Sequence, residues 1–155
     1  LVYDFGGGTF DAAVVQLRDG IIQVVNHSGD NQLGGKLIDW ALIERVFVPK
    51  LLAEHRLADF HRGNERWRGA FAKLKAAAEE AKIQVSRTNK PFNLYKESVC
   101  QDERGETIDF ECTLTPKDLA AIAEPFVRRS IDLSKKALSD KSVPLSAIER
   151  VILVG

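Results

Sequence analysis

The chain has 155 residues, 45% of them hydrophobic, with 22 basic and 22 acidic side chains and a formal net charge of zero. That length suits one domain or one lobe of a larger domain, and neutrality excludes a long-range field aimed at nucleic acid or an anionic membrane. No apolar run reaches the length of a membrane span, no leader peptide is visible, and two cysteines, Cys100 and Cys112, read as free thiols of a reducing cytoplasm. The sequence lacks methionine and has strand-like runs at both ends, so the expectation is a piece of a longer protein.

Leu1 to Phe5 is an apolar run ending in Asp4-Phe5-Gly6-Gly7-Gly8-Thr9-Phe10-Asp11. Glycine loses the most backbone entropy on folding, so three in a row between strands need a reason. A tight turn with positive φ accounts for one or two of them. The remainder points to a backbone that a ligand approaches closely, where successive N–H groups converge on an anion and the Thr9 hydroxyl adds a donor. Carboxylates at both ends, Asp4 and Asp11, suit a phosphate that carries hydrated Mg²⁺. A plain glycine hairpin is the alternative.

Ala12 to Leu17 and Ile21 to Asn26 read as strands joined through Arg18-Asp19-Gly20, a hairpin signal. A glycine-containing loop, Gly29 to Gly35, comes next. Ile38, Leu42, Val46 and Phe47 then recur at helical spacing, and Pro49 is expected to kink or end that helix near Val48, with a bent continuation over Lys50 to Arg56. Ala58 to Gly63 reads as a loop. Asn64 is a candidate N-cap, followed by an amphipathic helix whose seam is Trp67, Phe71, Leu74, Ala78, Ala81 and Val85. Phe92 to Cys100 and Thr107 to Leu114 read as strands around the turn Asp102 to Gly105. Thr115-Pro116-Lys117-Asp118 has the capping residues of a helix start, with the stripe Leu119, Ile122, Ala123 and Phe126 behind it and a bend expected at Pro125. Val151 to Val154 is the last strand, expected to lie parallel to Leu1 to Phe5 after a right-handed crossover.

The octapeptide Asp4 to Asp11 resembles the second phosphate loop of the DnaK-type, seventy-kilodalton heat-shock chaperones, members of the actin-like ATPases. Three further stretches resemble that family in the same order. Gly29-Asp30-Asn31-Gln32-Leu33-Gly34-Gly35-Lys36-Leu37-Ile38-Asp39 is similar to a segment whose paired glycines lie against ribose and phosphates; at a helix start, Gly34 and Gly35 would offer unhindered N–H groups. The family's acidic residues are replaced here by Lys36 and Leu37, whereas Asp39 is kept. Glu79, Lys82 and Ser86 fall at i, i+3 and i+7 on one helical face. In the family the corresponding residues hold adenosine: Glu79 would accept from ribose hydroxyls, the stem of Lys82 would flank adenine, and Ser86 would reach the base edge. A routine Glu79–Lys82 surface pair is the alternative. Finally, Val151 to Gly155 is similar to the strand entering an adenosine-contacting glycine turn, so Gly155 joins the nucleotide contacts.

The resemblance implies an α/β fold, a truncated ribonuclease-H-like (actin-like ATPase) lobe over 1–38 and 115–155 with an inserted small α+β subdomain over 39–114. It implies ATP or ADP with Mg²⁺ as cofactors, Asp4 and Thr9 as the catalytic-site residues, and Asp4 as the metal contact through water. The glycines Gly6, Gly7, Gly8, Gly34, Gly35 and Gly155, with Thr9, Glu79, Lys82 and Ser86, would contact nucleotide. Expected partners are adenine nucleotide and, for the longer protein, a nucleotide-exchange factor, a J-domain co-chaperone and unfolded polypeptide, with no nucleic acid and no membrane. Sugar kinases and actin-like filament ATPases share the phosphate loop, and a chaperone-like scaffold without hydrolysis is a further alternative. His27, His55 and His61 show no metal-ligand spacing. Arg62, Arg66 and Arg68 around Trp67 read as a solvated face, not as a nucleic-acid patch.

Overall fold

A computed structural model describes residues 1–155. The chain divides into two compact units, Leu1–Leu37 with Ala123–Gly155, and Ile38–Ile122.

In the first unit, β1 (Val2–Phe5), β2 (Phe10–Arg18), β3 (Ile21–Asp30) and β6 (Ile152–Val154) form one sheet in the order β3-β2-β1-β6. β1 and β6 are parallel neighbours, with Val2 opposite Ile152 and Asp4 opposite Val154, as their matching apolar runs predict. The β2–β3 turn is carried by Asp19 and Gly20, both at positive φ, which is the twist a two-residue hairpin needs. β3 runs on through Gly29 and Asp30, which the sequence places in a loop. Gly29 pairs opposite Asp11, and a Cβ there would lie 2.7 Å from the Phe10 carbonyl oxygen, so the strand continues because glycine leaves room for its neighbour. Phe10, Ala12 and Leu33 are buried under Tyr3, Phe5, Phe126 and Leu133. The last two come from α4 (Pro116–Ser139). Tyr3 Oη and Ser130 Oγ are hydrogen-bonded, and Asn26 Nδ2 donates to the Ala137 carbonyl at 2.8 Å, so polar contacts also tie the helix to the sheet.

α1 (Gly35–Leu42) starts in the first unit and, in the second, gives way to a π-helical stretch, Ile43–Phe47, and then to α2 (Val48–Glu54). The disturbance expected from Pro49 is therefore a widened turn. Pro49 sits in the first turn of α2, where its missing N–H leaves no intrahelical bond unmade. Asn64 caps a short 3₁₀ turn, accepting from the Arg66 N–H at 3.0 Å, and α3 (Arg68–Thr88) follows. All six seam residues from Trp67 to Val85 are buried. β4 (Phe92–Gln101) and β5 (Thr107–Leu114) form a separate two-stranded sheet, with a bulge at Ser98. Phe47 and Phe110 meet at 4.7 Å between ring centroids, joining the π-helical stretch to this sheet. α4 begins with a reciprocal cap: the Asp118 N–H donates to Thr115 Oγ1 and the Thr115 N–H donates to Asp118 Oδ2, both at 3.2 Å. It continues through Pro125 as one helix to Ser139. Cys100 and Cys112 are free and half-buried; burial pushes both thiols up, against the opposing pull of Lys73 on the first and Lys50 on the second.

Candidate functional site

The loop between β1 and β2 is closed by one hydrogen bond, from the Gly6 N–H to the Thr9 carbonyl at 2.9 Å. None of its glycines has positive φ; the glycines that do are Gly20, Gly105 and Gly155. The turn therefore does not need glycine for backbone conformation, contrary to expectation. Close approach accounts for Gly6, where a Cβ would lie 3.3 Å from the Thr9 carbonyl oxygen. On Gly8 a Cβ would only just touch Lys36 Nζ, at 4.0 Å, and on Gly7 it would meet nothing within 4 Å. Gly7 and Thr9 are exposed, so the outer face of the loop is open.

Gly34 supplies the opposite case. A Cβ there would lie 2.7 Å from the Gly8 nitrogen and 2.8 Å from both the Gly6 oxygen and the Gly7 carbonyl carbon. Two hydrogen bonds stitch the start of α1 to the loop at this contact: Gly35 N–H to the Gly6 carbonyl at 2.9 Å, and Lys36 N–H to the Gly7 carbonyl at 2.8 Å. The paired glycines were expected to present free amides to a ligand. Instead the amide of Gly35 is engaged by the loop, and the glycine pair serves to bring helix and loop backbones into contact. This holds the loop's peptide planes in place, which is the preorganisation an anion site requires.

Asp4 and Thr9 converge on the same spot, because a Cβ on Gly6 would lie 3.9 Å from Asp4 Oδ1 and 3.8 Å from Thr9 Oγ1. Gly155, at φ +112°, comes to the same place from β6; a Cβ on it would approach Asp4 Oδ1 to 2.9 Å and the Phe5 carbonyl oxygen to 2.5 Å. Asp4, Gly6, Thr9 and Gly155 thus form one cluster at the end of the β1–β6 pair. Lys36 was singled out in the sequence only as a departure from a pattern. In the fold its ammonium reaches the loop. Its spacing from Gly8, 28 residues by number, gave no hint of that contact.

In the second unit, Glu79 and Ser86 are exposed on α3, and Lys82 is partly buried between them. The Glu79–Lys82 surface pair is not formed. Lys82 Nζ lies 2.7 Å from Asp39 Oδ1, and Lys75 Nζ lies 2.8 Å from Asp39 Oδ2 and 3.8 Å from Glu79. Asp39 is fully buried, and a buried carboxylate left without a partner carries a large desolvation penalty. It therefore takes both lysines and leaves Glu79 the longer contact. The Lys82 ammonium is consequently anchored at Asp39. Lys75 was not read as a site residue, since one lysine among several on a helix carries no signal until its carboxylate partner is located.

The arginines around Trp67 are engaged within the chain. Arg66 stacks over Trp67 and Arg62 over Trp40, each at 4.4 Å from the ring centroid, and Arg68 reaches Glu65 at 3.5 Å. No helix is long and apolar enough to cross a membrane.

A protein-family model described as Hsp70 protein matches residues 1–155, the whole of the described chain. With the glycine loop, the helix docked on it and the parallel β1–β6 pair in place, the match is complete along the molecule, and the chain belongs to the Hsp70 family of ATP-binding chaperones.

Proposed function

We propose that this chain forms one wall of an ATP-binding cleft and serves the nucleotide-driven cycle of a chaperone. The observation that carries this reading is the open face of Gly7 and Gly8, flanked by the Asp4 carboxylate and the Thr9 hydroxyl and braced from behind by Gly34. A phosphate chain fits there because the loop projects no side chain into the space it would occupy. Backbone amides of Gly7 and Gly8 and the hydroxyl of Thr9 face the phosphates, Thr9 toward the terminal one, whereas Gly6, whose N–H is held by the Thr9 carbonyl, contributes only close approach. Asp4 would hold a divalent cation through water, and Mg²⁺ there would neutralise charge on the phosphates. Gly155 lies beside Asp4 at the edge of this space, and Gly34 and Gly35 back the loop that lines it. Glu79, Lys82 and Ser86 take the adenosine end: Glu79 the ribose hydroxyls, the Lys82 stem one face of adenine, and Ser86 the base edge. The salt bridge of Lys82 to Asp39 supports this assignment, since a pinned ammonium leaves a stiff apolar stem to pack against a base.

Residues 39–114 are assigned as the smaller outer subdomain of the family fold, where a nucleotide-exchange factor would act. A J-domain co-chaperone and unfolded polypeptide are the remaining partners of the reading, and the cytoplasm is its compartment.

Hydrolysis needs the phosphoryl group clamped from two sides, with an in-line water held in register. The 155 residues contain one phosphate loop, and half a cleft leaves the phosphates in water, where each hydrogen bond contributes less. The expected result is adenine-nucleotide binding by the isolated chain without turnover. Calorimetric titration with ADP and ATP, together with a phosphate-release assay, tests both parts. Binding weakened by Thr9→Ala and by Lys82→Ala supports the site. Sustained Mg²⁺-dependent release abolished by Asp4→Ala would show that one wall is sufficient and refute the division of labour.

A further inference from the structure

Lys36 brings its ammonium to the glycine loop, and no carboxylate takes it up. Its backbone N–H donates to the Gly7 carbonyl at 2.8 Å, which fixes the start of its side chain beside the loop. The side chain then folds back so that Nζ stands 4.0 Å from where a Cβ of Gly8 would be. The residue is exposed and its side chain forms no hydrogen bond or ion pair. Other charges of this unit are disposed differently. Arg129 is taken up by Asp30 in an ion pair. Asp4 and Asp11 face each other across the β1–β2 ladder, so the loop is flanked by two negative charges. An anion approaching Gly7 and Gly8 meets those carboxylates from the strands and one positive charge, that of Lys36, from the helix.

We infer that Lys36 is a phosphate-chain contact of the glycine loop, a fixed ammonium that supplies part of the positive charge otherwise left to a divalent cation. This rests on the nucleotide reading above but concerns only the phosphates. A lysine works here as a point charge on a flexible stem and can follow the anion without strict geometry. Being exposed, it contributes nothing to folding that its replacement would remove.

The experiment uses the full chain and its Lys36→Met, Lys36→Arg and Lys36→Glu variants, with ATP, adenosine and inorganic tripolyphosphate as probes, in Mg²⁺ and in chelator. Urea midpoints establish that the variants remain folded. Lys36→Met is expected to lower affinity for ATP and for tripolyphosphate roughly tenfold, the effect of one charge-assisted hydrogen bond, and to leave adenosine unchanged. Lys36→Arg restores the loss, Lys36→Glu deepens it, and removing Mg²⁺ costs the wild type less affinity than it costs Lys36→Met. ATP binding untouched by Lys36→Met, or adenosine weakened equally, overturns the Lys36 assignment and leaves the nucleotide reading standing. Lys36-dependent tripolyphosphate binding, with ATP binding no tighter than tripolyphosphate, upholds Lys36 and refutes the adenosine half of the site. Binding of none of the three probes overturns both.

Discussion

Replacing Gly34 by alanine tests whether the loop is built on a backbone-to-backbone contact. The added Cβ would sit 2.7 Å from the Gly8 nitrogen and 2.8 Å from the Gly6 oxygen. Those atoms belong to the main chain, so no side chain can rotate away, and loop and helix must separate by several tenths of an ångström. Overpacking of this kind costs about 1–3 kcal/mol. Separation also stretches the Gly35-to-Gly6 and Lys36-to-Gly7 hydrogen bonds, worth about 1 kcal/mol each. A combined loss of roughly 3 kcal/mol lowers the melting temperature of a chain this size by about 6–12 °C. Gly7→Ala is the matched control, because its Cβ meets nothing within 4 Å and its stability should stay within about 0.5 kcal/mol of wild type, apart from the small backbone-entropy gain. Thermal and urea unfolding of the two variants supply the comparison. Gly34→Ala melting within a degree of wild type would refute the argument, since the contact would then be too loose to position anything.

Three further outcomes follow from other contacts. Lys75→Met and Lys82→Met together strand the buried Asp39 carboxylate and should cost about 3–5 kcal/mol; adding Asp39→Asn should recover part of this, and urea midpoints of the series would show whether it does. Asp109 accepts from the Ser98 N–H at 2.7 Å and from Tyr95 Oη at 2.6 Å, and these bonds, the Ser98 one foremost, hold its carboxyl below the ordinary value. A folded-state pKa below the unfolded one gives stability that is present above the unfolded value near 4 and lost as pH falls through the folded value, so Asp109→Asn should flatten the acid limb of a stability-against-pH curve while wild type keeps it. Thr115→Val breaks the reciprocal cap with Asp118 and should cost about 1 kcal/mol, measured by urea unfolding; no change would mean the cap is redundant with Pro116.

The sequence by itself determined the elements and their class of chemistry. Strand alternation, the Asp19-Gly20 hairpin, the alanine-rich seam of α3 and the Thr115–Asp118 cap are local, and local sterics and hydrogen bonding decide them within a few residues. The same holds for the glycine loop, whose residue types leave its backbone unhindered whatever surrounds them. Tertiary structure decided what those residues touch. It turned the Pro49 kink into a π-helical turn, because the helix on either side of it is packed. It carried β3 through Gly29 and Asp30, because β2 offered paired partners. It showed that Gly34 and Gly35 brace the loop from behind and that Asp39 captures both Lys75 and Lys82. It also brought Lys36 to the loop. Each of these depends on which backbone or carboxylate lies within about 3–4 Å in space, the range over which hydrogen bonds and close contacts act, and that distance is not encoded in spacing along the chain.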